Sequence, residues 1–116
     1  IVQCVREKDM AWHASQANPH SLGIEHSGYA AQSAKDWSDE YSMRMLAISA
    51  RLAAELCVRY GISPRKASTD QYLAGESGLM GHVDVNTAHR KRGHTDPGPN
   101  FPWVYYLDLV TRELNK

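Results

Sequence analysis

The sequence lacks the bulk features that mark a membrane protein or a nucleic-acid-binding protein. No apolar run among the 116 residues approaches the roughly 18 needed to span a bilayer, which predicts a domain that does not insert into a membrane. Thirteen basic residues balance thirteen acidic ones, so no net field draws the chain to nucleic acid. We therefore expect a local binding site, no nucleic-acid partner and a monomer.

Cysteine is also scarce. Cys4 and Cys57 are the only two, their spacing fits no metal motif, and one pair is too few for a disulfide scaffold. Both lie among apolar neighbours, which predicts buried free thiols.

Two segments have the composition of β-strands. Residues 1–5 are one, and Ser21–His26 is the other, with Leu22 and Ile24 on one face and Glu25 on the opposite face. Residues 78–81 are a candidate for a third short strand. Because the chain opens directly in a strand, we expect it to be the later part of a longer domain.

Two segments have the periodicity of helices. Residues 39–60 carry a stripe of small apolar residues, with Ser38 as a plausible N-cap and Gly61 as the stop. Residues 102–115 form a terminal amphipathic helix, and residues 82–101 are predicted to be a long polar loop. The small residues suggest close packing against a sheet, so the expected fold is α/β, with little of the sheet formed by these residues.

One pair of residues has metal-ligand chemistry. His82 follows Gly81, and Asp96 comes fourteen residues later, in a loop stiffened by prolines. Imidazole nitrogen and carboxylate oxygen are preferred zinc ligands, and a ligand-bearing loop has to be held rigidly. The spacing alone is also compatible with, and by itself favours, an ordinary proline-rich turn capped by Asp96.

Four blocks of sequence, taken together, resemble a known family. They are Ala11–Ser15 (AWHAS), Asn18–Glu25 (NPHSLGIE), Gly81-His82, and His94–Trp103 (HTDPGPNFPW). They are similar, in this order, to the A-W-H-A-G, N-x-x-S-I-G-I-E, G-H and K-x-D-P-G-P-x-F-x-W blocks of the zinc-dependent N-acetylmuramoyl-L-alanine amidases of the type-2 class, which are related to peptidoglycan recognition proteins. The form with His in place of Lys resembles amidases of actinobacteria and of their phages' endolysins.

The resemblance implies an α/β fold with a mixed central β-sheet flanked by helices, and it implies a role for each matching residue. His82 and Asp96 correspond to two zinc ligands, Glu25 to the acid that handles protons of the attacking water, and His94 to the lysine that stabilises the tetrahedral intermediate. The family's first ligand is a histidine upstream of the A-W-H-A block, and no residue here matches it. We expect it to precede Ile1, in which case residues 1–116 are the C-terminal portion of an amidase catalytic domain.

Further residues are assigned with open alternatives. The resemblance places Trp12, His13 and Asn18 along the substrate groove. Trp12 is also compatible with a core position, and His13 with packing beside Trp12 or with a substitute zinc ligand. Asp84 either orients His82 or is an ordinary loop acid. The basic run His89–Arg92 either contacts anionic wall polymer or is a solvated loop.

The implied function is hydrolysis, by zinc-activated water, of the amide between N-acetylmuramic acid and L-alanine in peptidoglycan. The site of action would be the bacterial cell wall, reached by secretion or by release of a phage endolysin. The alternatives are a non-catalytic peptidoglycan-binding module of the same fold and, less favoured, a zinc peptidase that cuts within the stem peptide.

Overall fold

The computed structural model describes all 116 residues as helices joined by loops. Its elements in chain order are a 3-10 helix at Ser15–His20, α1 at Ala34–Trp37, α2 at Glu40–Tyr60, α3 at Thr69–Leu73, α4 at His82–Ala88 and α5 at Trp103–Leu114. None of these helices is both long enough and apolar enough to cross a membrane.

The longest helix, α2, confirms the prediction from periodicity. Its N-cap is Asp39 rather than Ser38, because the Asp39 carboxylate accepts the Ser42 N–H at 2.7 Å. Its C-terminus is closed by Gly61 at φ 63°, a left-handed conformation that favours glycine. The terminal helix is also confirmed, as α5.

The core lies between α2 and α5. Leu46 of α2 and Val110 of α5 are fully buried, and Trp37 closes one end of the cluster against Phe101. Small residues of α2 allow the second helix to approach closely, so the stripe that suggested packing against a sheet packs against a helix. The buried members of this cluster are Trp37, Leu46, Ala50, Ala53, Ala54, Phe101, Tyr106 and Val110.

The prediction of a mixed central β-sheet is wrong. Residues 1–5 and 21–26 have no strand pairing, and the only β-bridge is an isolated parallel one between Lys66 and Leu79. A β-branched or alternating segment becomes a strand only when a neighbour pairs with its backbone, and neither segment has one here. Ile24 packs against the helical core instead.

Four short helical segments were not predicted, namely the 3-10 helix, α1, α3 and α4. At α3, the Ser68 hydroxyl accepts the Gln71 N–H at 3.1 Å, and the Gln71 side chain accepts the Ser68 N–H at 2.9 Å. This capping box was readable in the sequence. The helix α4 begins at His82, in the segment that was predicted to be a long polar loop. The thiol prediction holds for Cys57, which is buried, but fails for Cys4, which is exposed.

Candidate metal and catalytic site

The first turn of α4 is docked on the proline-rich loop. The Val83 N–H donates to the Asp96 carbonyl oxygen at 3.0 Å. A side chain at Gly81 would place its Cβ only 2.5 Å from Pro97 Cδ, so glycine is required for this approach. His82, the first residue of α4, is thereby brought beside Asp96.

The other end of that loop is held against residues 30–32. Gly98 adopts φ 98°, and a Cβ there would overlap the Ala30 carbonyl. The Asn100 side-chain amide donates to the Gln32 carbonyl oxygen at 3.1 Å. The loop is therefore fixed at both ends by backbone contacts, and glycine supplies the space at each end.

Three donor side chains converge at this junction. His82 Nδ1 lies 3.5 Å from one Asp96 carboxylate oxygen, and His94 Nδ1 lies 3.8 Å from the other. The two imidazole rings stack with centroids 3.9 Å apart. One potential ligand atom from each of the three residues lies within 4.8 Å of the others. His94 thus joins the two predicted ligands as a third donor.

The donor set fits a zinc ion. His82 Nε2 is buried and has no hydrogen-bond partner. Burial lowers the pKa of His82, and the neighbouring His94 and His13 add to that effect while Asp96 opposes it. The low pKa favours the neutral imidazole, which is the form that binds a metal. Two imidazoles and a carboxylate are typical zinc ligands.

Asp84 contacts Gly81 and Lys66 rather than His82. Its carboxylate accepts the Gly81 N–H at 2.7 Å, which caps α4, and receives Lys66 Nζ at 2.7 Å. No hydrogen bond joins Asp84 to His82. Lys66 also lies 5.0 Å from the centre of the Trp103 ring, so it connects the start of α4 to α5.

The Ala11–Asn18 segment lies next to α4. The Asn18 side-chain oxygen accepts the N–H groups of His13 and Ala14, which fixes the chain entering the 3-10 helix. His13 Nε2 is hydrogen-bonded to the Ser21 hydroxyl at 2.7 Å. The ring lies against Gly23, where an added Cβ would be only 2.7 Å from the ring atoms. Trp12, in contrast, is 90% exposed, which excludes the core position.

Glu25 is exposed, while the residues on either side of it point inward. His26 Nε2 is 2.6 Å from the Ser49 hydroxyl, which is 2.7 Å from the Tyr106 hydroxyl. The His26 ring also packs on Phe101, with centroids 5.4 Å apart. His26 therefore ties the Glu25 segment to both main helices and to the loop that carries Asp96. Sequence reasoning did not single out His26 and missed these contacts.

Comparison with known proteins gives a family match and one related sequence. The family described as N-acetylmuramoyl-L-alanine amidase matches residues 1–99. The protein named N-acetylmuramoyl-L-alanine amidase A from Achromobacter lyticus is 34% identical over an alignment that covers 95% of this chain and 61% of that protein. The chain thus spans about three fifths of the length of this relative. No solved structure matches.

Proposed function

Because this chain belongs to the N-acetylmuramoyl-L-alanine amidase family, we propose that it contributes the catalytic chemistry of peptidoglycan amide hydrolysis. The bond cleaved would join the lactyl group of N-acetylmuramic acid to L-alanine. The observation that carries the proposal is the convergence of His82, His94 and Asp96 on one point. The site of action would be the bacterial cell wall, reached by secretion or by endolysin release.

In this proposal, His82 and Asp96 hold a zinc ion. Bound zinc supplies Lewis acidity, which polarises a carbonyl and acidifies water. The neutral His82 offers a nitrogen lone pair, and the Asp96 carboxylate offers a negatively charged oxygen that offsets part of the ion's charge. The contacts of Gly81 and Gly98 support this role because they hold the two ligands in fixed positions before any metal arrives.

Glu25 is proposed as the general base. Its carboxylate is exposed and has no ion pair or hydrogen bond of its own, so it is available to take a proton from water and deliver it to the departing L-alanine amine. Trp12 and His13 would line the substrate groove. The exposed ring of Trp12 supports a contact with the muramyl peptide. Asn18 would act indirectly, through the backbone of His13.

His94 has two possible roles, and one substitution separates them. As an N–H donor it would stabilise the oxyanion, and as a third donor it would bind the metal. His94→Lys keeps a donor and removes a neutral ligand. If His94 is the stabiliser, zinc affinity measured by competition with a chromogenic chelator stays within about threefold and hydrolysis persists. If it is a ligand, zinc affinity falls by about 100-fold or more.

Asp96→Ala tests the proposed function itself. We expect release of new L-alanine amino termini from purified cell walls to be lost, and zinc affinity to fall by about 100-fold or more. Asp9→Ala is the control, because Asp9 is an exposed acid whose side chain has no partner. If wild-type protein binds walls but releases no amine, the chain is a binding module. If amines appear while muramic acid keeps its peptide, it is a peptidase.

A further inference from the structure

The segment that joins α4 to His94 carries three adjacent cations, Arg90, Lys91 and Arg92. All three are exposed. Seven of the thirteen lysines and arginines form ion pairs with acids, and these three are half of the remaining six. In a chain with no net charge, this is a local concentration of uncompensated positive charge beside the candidate site.

The backbone of this segment is held in a particular conformation. The Lys91 N–H donates to the Asn86 carbonyl at 2.7 Å, and the Arg90 N–H donates to the Thr87 carbonyl at 3.1 Å. These two bonds close α4 with a Schellman motif, whose left-handed residue is usually glycine. Here that residue is Arg90, at φ 55°. A left-handed conformation costs free energy for any residue with a Cβ, so helix closure alone favours glycine at position 90.

The segment is also anchored from the side of α3. His89 Nε2 is 2.8 Å from the Tyr72 hydroxyl, and the two rings meet edge to face with centroids 5.5 Å apart. The three cations therefore come directly after His89, a residue whose position is fixed by its contact with Tyr72. Cations near a helix C-terminus interact favourably with its dipole, but α4 has only seven residues, and that effect gives no reason for arginine at the strained position.

We propose that Arg90, Lys91 and Arg92 bind anionic groups of the cell-wall polymer, phosphate or carboxylate, at the edge of the amidase site. Guanidinium groups pair with both kinds of anion in a two-pronged geometry, and a row of cations suits a repeating polyanion. The inference rests on the proposed function only for the identity of the polymer. It assigns to Arg90 a reason for occupying a position where glycine is the more stable residue.

The first test is Arg90→Gly, which separates a binding role from a structural one by the sign of its effect. We expect the thermal midpoint to rise by a few degrees, because the left-handed strain is relieved. We expect affinity for purified cell walls, measured by co-sedimentation in a Glu25→Gln background to prevent turnover, to fall about threefold or more. A lower midpoint, or unchanged wall affinity, would overturn the role of Arg90.

The second test removes the whole cluster. Arg90→Gly/Lys91→Gln/Arg92→Gln should weaken wall binding at least tenfold and flatten its dependence on salt concentration, because fewer cations pair with the polymer. The matched control is Arg6→Gln/Lys8→Gln/Lys35→Gln, which neutralises the other three unpaired cations and should bind like the parent. Equal binding and equal salt dependence in the two triple variants would sink the proposal.

The source of the anion is identified by repeating the measurement on walls stripped of phosphate polymers with hydrofluoric acid. If the difference between the cluster variant and the parent disappears, the ligand is phosphate. If the difference persists, the ligand is a carboxylate of the stem peptide. Because no hydrolysis is needed, a failure of the amidase proposal leaves this measurement intact: wall binding without amine release in the parent would refute catalysis alone.

Discussion

The α2–α5 pair and the loop from residue 96 to residue 100 are held in place in different ways. Between the helices, many apolar side chains share the contact, and no single atom decides it. At the loop, a few backbone approaches decide the geometry, at Gly81 and at Gly98. Cores accept changes of shape when volume is kept, whereas a backbone contact cannot accommodate even a methyl group. The site is therefore more sensitive to a small substitution than the core that supports it.

The largest expected effect comes from placing one methyl group in the loop contact. Gly98→Ala would drive a Cβ into the Ala30 carbonyl, so we expect the free energy of unfolding to fall by more than about 4 kcal/mol, measured by urea denaturation. Gly93→Ala is the control: its φ of 105° is also positive, but a Cβ there meets nothing within 4 Å. It should cost about 1 kcal/mol. Equal losses would show that the contact with Ala30 does not matter.

A core truncation should lower the stability of the protein without lowering its affinity for zinc. Leu46→Ala removes a side chain that is 0% exposed, and we expect it to cost about 3 kcal/mol of stability. Zinc affinity measured well below the unfolding transition should stay within about twofold, because Leu46 does not contact the donor residues. Ile48→Ala, at a half-exposed position of the same helix, should cost less than about 1 kcal/mol. A large loss of zinc affinity in Leu46→Ala would show that the two regions are not independent.

The smallest expected effect is on pH dependence. Burial lowers the pKa of His26, so the unfolded chain takes up a proton there before the folded one does. The stability due to neutral His26 is present above about pH 6.5 and is lost as pH falls through the folded-state pKa, with a slope of at most about 1.4 kcal/mol per pH unit.

His26→Gln tests that linkage. His82 has a lowered pKa too and contributes in the same direction, so the informative quantity is the difference between variant and parent. Urea midpoints measured from pH 7.5 down to pH 5 should fall less steeply in His26→Gln than in the parent. His20→Gln, at an exposed histidine, serves as control. Parallel curves for His26→Gln and the parent would contradict the role of burial.

The same contrast explains what the sequence could predict. The α2 helix was predictable because its caps and periodicity are local, and Asp39 rather than Ser38 is an error of one residue. The strands were predicted from composition and the mixed sheet from the resemblance, but a strand depends on a partner elsewhere in the chain. The helices α3 and α4 were missed, although the Ser68–Gln71 capping box was a local signal.

The candidate site was predictable only in part. The resemblance singled out His82 and Asp96, and the structure brings them together, while their roles as ligands stay predictions. The spacing of fourteen residues could not show the contact, since it depends on Gly98 meeting Ala30, nearly seventy residues away. The contacts of His26 were missed for the same reason, because Ser49 and Tyr106 lie far along the chain.

The hydrogen bond from the Val83 N–H to the Asp96 carbonyl oxygen joins the start of α4 to the proline-rich loop, and His82 and Asp96 lie on these same two segments. Proteins open in parts, and segments held by few buried contacts open most easily. We therefore expect residues 81–98 to open and reclose more often than α2 and α5 separate. An ion shared by His82 and Asp96 would resist that partial opening by mass action and leave global unfolding of the helices to their own apolar contacts. Amide hydrogen exchange at Val83 would then slow as metal is added, with little change at Leu46.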